Sequence, residues 1–313
     1  MTVNRSGVLA FAWVAGMACA QTAAASITIP TVPIGHLGNA ADPVTGYGAV
    51  SYAYNIGTGE VSNRQYAAFL NSVAKTDTNN LWNIGFDPNA GLGGGISRSG
   101  SPGNYSYTVS SGWEDLPAQS TSFWNAARFA NWMHNGQPVG LQGAGTTEDG
   151  AYTLTPGGIA ANSVTRNSGW QWAVTSEDEW YKAAYFQPAA QGGDVDNYWL
   201  YGTSSNTITT AVANWGGVVG DYTATGTYPA NFFGVYDMAG NVREWNEAII
   251  GANRGVRDGY YNSNSLPMRA TTRSSGPAGS AILANGFRLV QIPAPSSGAI
   301  LGLTALMASR RRR

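Results

Sequence analysis

The sequence predicts a loop-rich fold of short helices and small strands, with irregular backbone packed around aromatic anchors. Three observations carry this expectation. Hydrophobic residues make up 43% of the chain and charged ones only 11%, so a sizeable core is available beneath a weakly charged surface. Glycine is abundant at 41, beside 11 Trp and 16 Tyr, a composition that suits turns pinned by large rings better than a helical bundle. Helical periodicity is confined to three stretches, and the C-terminal half breaks into short segments between turns.

Residues 26–54 read as extended, with breaks at Pro30, Pro33 and Pro43. VSNRQYAAFLNSVA begins the first helix. Ser62 and Gln65 form a capping box, Val61 and Tyr66 a hydrophobic staple, and Tyr66, Phe69, Leu70 and Val73 a core stripe. Residues 76–112 read as a long Asn/Gly/Ser-rich loop. SFWNAARFANWMHNG is the second helix, capped by Ser122, with Ala126, Phe129, Ala130 and Met133 on one face and Asn135-Gly136 as its stop. TSEDEWYKAAYF is the third. Ser176 and Glu179 make its capping box, and Trp180, Ala183 and Ala184 its buried stripe. NYWLYGTSSN, ANWGG, GVYDMAGNVREW, RGVRDGYY and NGFRLV then read as small strands held by turns. No internal repeat or interior linker divides residues 26–290.

The ends carry targeting signals. Arg5, the apolar run Val8 to Ala20 and Ala23-Ala24-Ala25 before Ser26 read as a secretory signal peptide over residues 1–25, with Ala18-Cys19-Ala20 as a competing cleavage site. Residues 291–313, with IPAPSSGAILGLTALMASRRRR, join a Pro-containing motif, a short apolar segment and a terminal Arg run. The apolar part is shorter than the ~20 residues of a stable span. This order resembles a PEP-CTERM sorting tail, although Ala294 stands where that motif has Glu between its prolines. The tail implies an exosortase-type sorting protease as partner and a transient membrane anchor. The expected destination is the cell envelope or the extracellular space.

The only cysteine is Cys19, inside the expected leader. A mature chain without thiols has no disulfide, zinc-thiolate site or cysteine nucleophile. Of 17 basic residues, five (Arg5 and Arg310 to Arg313) lie in the removable ends; the remaining 12 face 18 acidic residues, a net charge of −6. That balance excludes nucleic acid as a partner. No Gly-x-Ser-x-Gly elbow or P-loop occurs. The acid pairs Glu114-Asp115 and Glu148-Asp149 read as solvated loop residues.

VSNRQYAAFLN, SFWNAARFANWM, VTSEDEWYKAAY, GVYDMAGNVREW, RGVRDGYY and NGFRLV lie in one order along residues 45–290. In that order they resemble the formylglycine-generating enzyme family, also called sulfatase-modifying factors. The resemblance implies an α+β fold, the formylglycine-generating-enzyme-like variant of the C-type-lectin-like architecture. Family enzymes hold copper with two thiolates, and Cu(I) favours such ligands. The thiolates fall in the interval that here runs from Tyr260 to Asn285 and lacks Cys. Neither copper nor formylglycine-generating activity is therefore expected. Met268, a lone soft side chain there, reads as packing. A related branch of the fold uses His-bound iron, but only His36 and His134 exist here, and they read as unrelated.

The resemblance also places structural calcium. Asp237 and Glu244 would offer side chains, and Gly240 and Val242 backbone carbonyls. The competing reading is a turn in which Asn241 bonds the backbone while Tyr236 and Trp245 pack. A second calcium would fall on Asn214, Trp215 and Asp221, against the alternative of an ordinary polar loop. Arg243 and Asp258 replace a usual Trp and Gly near the family's groove, which implies a rebuilt groove. Its aromatics would either stack on a glycan or peptide or fill the core. The function expected is an exported, surface-sorted, non-catalytic binding or envelope/matrix protein. The alternative is an enzyme of the same fold with a cysteine-independent reaction.

Overall fold

The computed structural model describes residues 26–293. The expected leader and the sorting tail beyond Pro293 lie outside the described residues. Strands β1 (Thr31–Ile34) and β2 (Tyr54–Gly57) are followed by α1 (Asn63–Val73). The hairpin β3 (Ile96–Ser99) and β4 (Ser106–Val109) comes next, then α2 (Phe123–His134), α3 (Pro156–Ala160), β5 (Trp172–Val174) and α4 (Glu177–Tyr185). The C-terminal part supplies β6 (Arg243–Ile250), β7 (Asn253–Arg257), β8 (Ser274–Pro277), β9 (Asn285–Gly286) and β10 (Leu289–Gln291). One antiparallel sheet runs β1-β2-β10-β5, and another runs β8-β7-β6-β9 with β6 and β9 parallel. None of these helices is long and apolar enough to cross a membrane.

Both expected capping boxes form. Ser62 accepts from the Gln65 amide while Gln65 Oε1 accepts from the Ser62 amide, and Ser176 and Glu179 do the same. These reciprocal bonds satisfy amides that a helix start leaves free. The core lies between α1, α2 and the end of the chain. Tyr66 stacks on Phe86 and Phe129, while Phe69, Trp132 and Phe287 meet these rings edge-on or tilted. Each such ring contributes roughly 1.5–3 kcal/mol on burial.

Two expectations need correction, and the second helix buries more than the stripe read from the sequence: every residue from Phe123 to Met133 is buried. Its polar face is satisfied internally, with Arg128 on Glu148 and Asn131 donating to the Thr147 and Tyr152 carbonyls. Residues 76–112 contain the β3–β4 hairpin, and Tyr107 of β4 is buried against α1 through its hydroxyl bond to the Ala74 carbonyl. Most of residues 26–54 is turn and irregular loop, with β1 its one long extended piece.

Candidate functional site: the Asp237–Glu244 loop

The loop before β6 bends tightly, with Asp237, Gly240 and Asn241 all at positive φ. At Gly240 this is obligatory, because a Cβ would collide with the Asn214 carbonyl. Asn241 then donates its amide to that carbonyl at 2.9 Å. Its side chain is a hub. Oδ1 accepts from the Thr223 amide at 2.9 Å and from Asn214 Nδ2 at 3.2 Å. Nδ2 donates to Glu60 Oε1 at 3.0 Å and to the Thr223 carbonyl at 3.1 Å. The turn reading of Asn241 therefore describes real contacts, and Trp245 packs fully buried with Nε1 on the Thr121 carbonyl.

Glu244 is completely buried. Arg288 Nε donates to its Oε2 at 2.7 Å and Nη2 to its Oε1 at 2.5 Å, and Trp180 Nε1 adds a bond to Oε2 at 2.7 Å. Arg288 also donates to the carbonyls of Gly57, Tyr236 and Asp237. Glu244 thus already carries a cationic partner. Asp237 is different: it is 7% exposed, and its Oδ2 has no hydrogen-bond partner. Burial pushes its pKa up to about 7 against the pull of Arg288. Glu60, absent from the sequence-based candidates, also buries a bare oxygen, Oε2. Burial, then the charge of Asp237, holds its carboxyl well above the usual range.

The second candidate set shares this neighbourhood. Asn214 is buried with Oδ1 unpartnered, and its Nδ2 donates to the Asp221 carbonyl at 2.9 Å. Asp221 itself is exposed, with Oδ1 accepting from the Tyr222 amide. Trp215 is half-buried and its Nε1 has no partner. A single parallel bridge joins Asn214 to Gly240, so both candidate loops meet around Asn241. Among the described residues no three His, Cys, Asp or Glu side chains converge closely enough to hold a metal. A cation here would need backbone, amide or water oxygens besides carboxylates, as calcium accepts. Bare, buried acceptor oxygens at Asp237 and Asn214 fit that chemistry.

Asp258 does not line a groove. It is buried and accepts from the Gly240 and Gly259 amides, so it supports the loop from beneath. Arg243 does lie at the surface, its guanidinium 4.8 Å over the Tyr260 ring. Tyr260 and Tyr261, both half-exposed, meet at 86° and make a tyrosine shelf, backed by the buried Tyr222, which meets Tyr261 at 79°. In the interval where the resemblance puts thiolates, Ser263 is buried and accepts from the Tyr260 amide, while Met268 is fully buried with Tyr201, Ala213 and Ala239.

The histidines lie apart. His36 packs on Phe186 and Phe232, and His134 Nδ1 accepts from the Gln171 amide. Glu148 pairs with Arg128, and Asp115 with Arg64 at the surface. Sequence reasoning missed Glu60 and Arg288 as members of the loop's surroundings. The available signals were an acid just before the first capping box and the Arg of NGFRLV.

Fold and loop together define a formylglycine-generating-enzyme-like domain. Residues 18–292 match the family model described as the sulfatase-modifying factor enzyme 1-like domain, and the chain belongs to that family. The match begins inside the expected leader. Among solved structures, the chain is similar to Treponema denticola variable protein 1, at 19% identity and a TM-score of 0.55, covering 84% of this chain and 95% of that one. It is similar to CarF at 19% identity and a TM-score of 0.55, covering 85% and 99%. These likenesses concern the fold. No curated protein matches the chain.

Proposed function

We propose that the chain is an exported, surface-sorted, non-catalytic binding protein whose recognition surface is the tyrosine shelf. The observation that carries this reading is the content of the family's thiolate interval. That interval holds no cysteine; Ser263 and Met268 pack within it, and Tyr260 and Tyr261 open it. Half-exposed rings beside Arg243, Asp221 and Asn262 suit a carbohydrate, which stacks apolar ring faces on tyrosine and offers hydroxyls to polar neighbours. An envelope or matrix glycan is the proposed ligand, reached after export and sorting by the exosortase-type protease. The polar cavity of about 120 Å³ lined by Tyr152, Thr165, Arg166, Glu247 and Arg254 offers an enzyme reading less support. Arg166 there is already engaged by Glu179 and Glu247, and Tyr152 by Glu247.

Calcium is part of the proposal, as a structural ion at the Asp237–Glu244 loop and at Asn214, Trp215 and Asp221. The bare oxygens of Asp237 and Asn214 support it. Carbonyls of Gly240 and Val242 would complete the first set.

Binding of the purified chain to envelope polysaccharides, compared with Tyr260→Ala and Tyr261→Ala, tests the recognition surface. The variants are expected to lose binding at unchanged thermal midpoint; undiminished binding overturns the shelf. Incubation with copper and a Cys-containing sulfatase-type peptide tests the absence of catalysis, which aldehyde formation seen by mass would overturn.

A further inference from the structure

The tyrosine shelf carries one unsatisfied cation. Among the described residues, Arg243 is the arginine whose guanidinium donates to no group of the protein. Seven others pair with carboxylates. Arg254 donates to Asn162, and Arg269 to the Tyr201 hydroxyl. Arg243 instead lies half-exposed, its guanidinium 4.8 Å over the Tyr260 ring. That contact restrains the side chain and leaves its N–H groups without an oxygen acceptor. Carboxylates are not scarce, since 18 acids face 12 bases between the two ends of the chain. Asp221, the exposed acid beside Tyr222, turns Oδ1 to the Tyr222 amide and forms no ion pair with Arg243.

The bare cation is held at its base by a closed circuit of contacts. The Arg243 amide donates to the Ala284 carbonyl at 2.9 Å. The Ala284 amide donates to Gln119 Oε1 at 3.4 Å, and Gln119 Nε2 donates to the Gly93 carbonyl at 2.8 Å. Gly93 faces Tyr222, whose ring would stand 3.7 Å from a Cβ placed there. Tyr222 meets Tyr261, Tyr261 meets Tyr260, and Tyr260 lies under Arg243. Four separate parts of the chain therefore fix the shelf and its cation relative to each other. A ligand meeting them has little ordering left to impose, which favours binding.

We infer that the glycan taken by the shelf is acidic, a polysaccharide of carboxylate-bearing sugars, and that Arg243 is the residue that selects it. This rests on the shelf reading and names its ligand class. Tyrosine rings accept any sugar with an apolar face, so on their own they do not distinguish charged from neutral polymers. A guanidinium with its fork free pairs with a carboxylate through two parallel N–H bonds, a geometry that a neutral hydroxyl does not match. Arg243 beside Tyr260 thus joins the stacking surface and the charge reader in one place.

The test titrates the full chain with alginate, dextran and dextran sulfate by calorimetry, with thermal midpoints read alongside. The terminal arginines are the same in every variant, so only differences between variants count. Arg243→Gln is expected to weaken alginate binding roughly tenfold, the loss of one charge-assisted fork, and to leave dextran binding and the thermal midpoint unchanged. Arg243→Lys is expected to recover part of the loss, because it restores the charge without the fork. Tyr260→Ala is expected to weaken binding of both alginate and dextran. Equal alginate binding by wild type and Arg243→Gln overturns the inference, and leaves the shelf reading in place if Tyr260→Ala still loses binding. A larger Arg243→Gln loss with dextran sulfate than with alginate overturns the assignment to carboxylates. A wild type that binds none of the three polymers overturns both readings. Should Arg243→Gln not fold, Arg243→Met, which keeps the apolar stem over Tyr260, decides the same question.

Discussion

Glu244 and Arg288 face each other as a fully buried fork, Nε to Oε2 at 2.7 Å and Nη2 to Oε1 at 2.5 Å. One residue opens β6 and the other precedes β10, so this pair joins the two four-stranded sheets. Removing one partner leaves the other charge stranded, at a cost of about 3–5 kcal/mol. Glu244→Gln should therefore lower the urea midpoint strongly. Glu244→Gln with Arg288→Met should lose less than the sum of the two single changes, and a double-mutant cycle on urea unfolding checks it.

Lys182 presents the opposite case. It is buried in α4, and the bond its ammonium makes goes to the His36 carbonyl. Burial lowers its pKa from 10.5 to about 8. Between those values the unfolded chain holds more of the proton, so this group's penalty is full below pH 8 and fades as pH rises towards 10.5. Lys182→Met is expected to raise the midpoint at pH 7 and to raise it less at pH 10. An equal gain at both pH values would contradict this.

Glu179 gives an acid-side counterpart. Burial works against its charge, but Arg166, bonded to both carboxylate oxygens, brings its pKa below the ordinary 4.5. The stabilisation is present above the unfolded value and is lost as pH falls through the lower folded value. Glu179→Gln should therefore be destabilising at pH 7, with the gap to wild type closing in acid. Urea midpoints at pH 7 and pH 3 measure it.

Gly240 admits no side chain. Its φ of 87° and the nearby Asn214 carbonyl act together. Gly240→Ala is expected to cost roughly 2–3 kcal/mol. Loss should be seen first in amide exchange protection of residues 214–223, which the loop holds in place.

The helices were legible because their starts are local chemistry. Ser62 with Gln65 and Ser176 with Glu179 satisfy amides three residues away, and that spacing is written in the chain. The β3–β4 hairpin was not, since SRSGSPGNYSY offers turn residues throughout and little alternation. Burial of the whole of α2 was hidden for another reason: Arg128 and Asn131 look solvent-facing until Glu148, Thr147 and Tyr152 fold over them. Within the loop, Asp237 and Glu244 read alike as acids. Only tertiary contacts separate them, because Arg288 arrives from the far end of the sequence and Glu60 from before α1.

The placement of β10 reaches beyond stability. Residues 289–291 form an inner strand, flanked by β2 from the start of the domain and β5 from its middle. A chain emerging from the ribosome keeps β2 and β5 without their shared neighbour until almost the whole domain has been made. Completion of this sheet is thus a late event in synthesis. Under the export proposed above, that delay would keep the chain threadable until nearly all of the domain has been made.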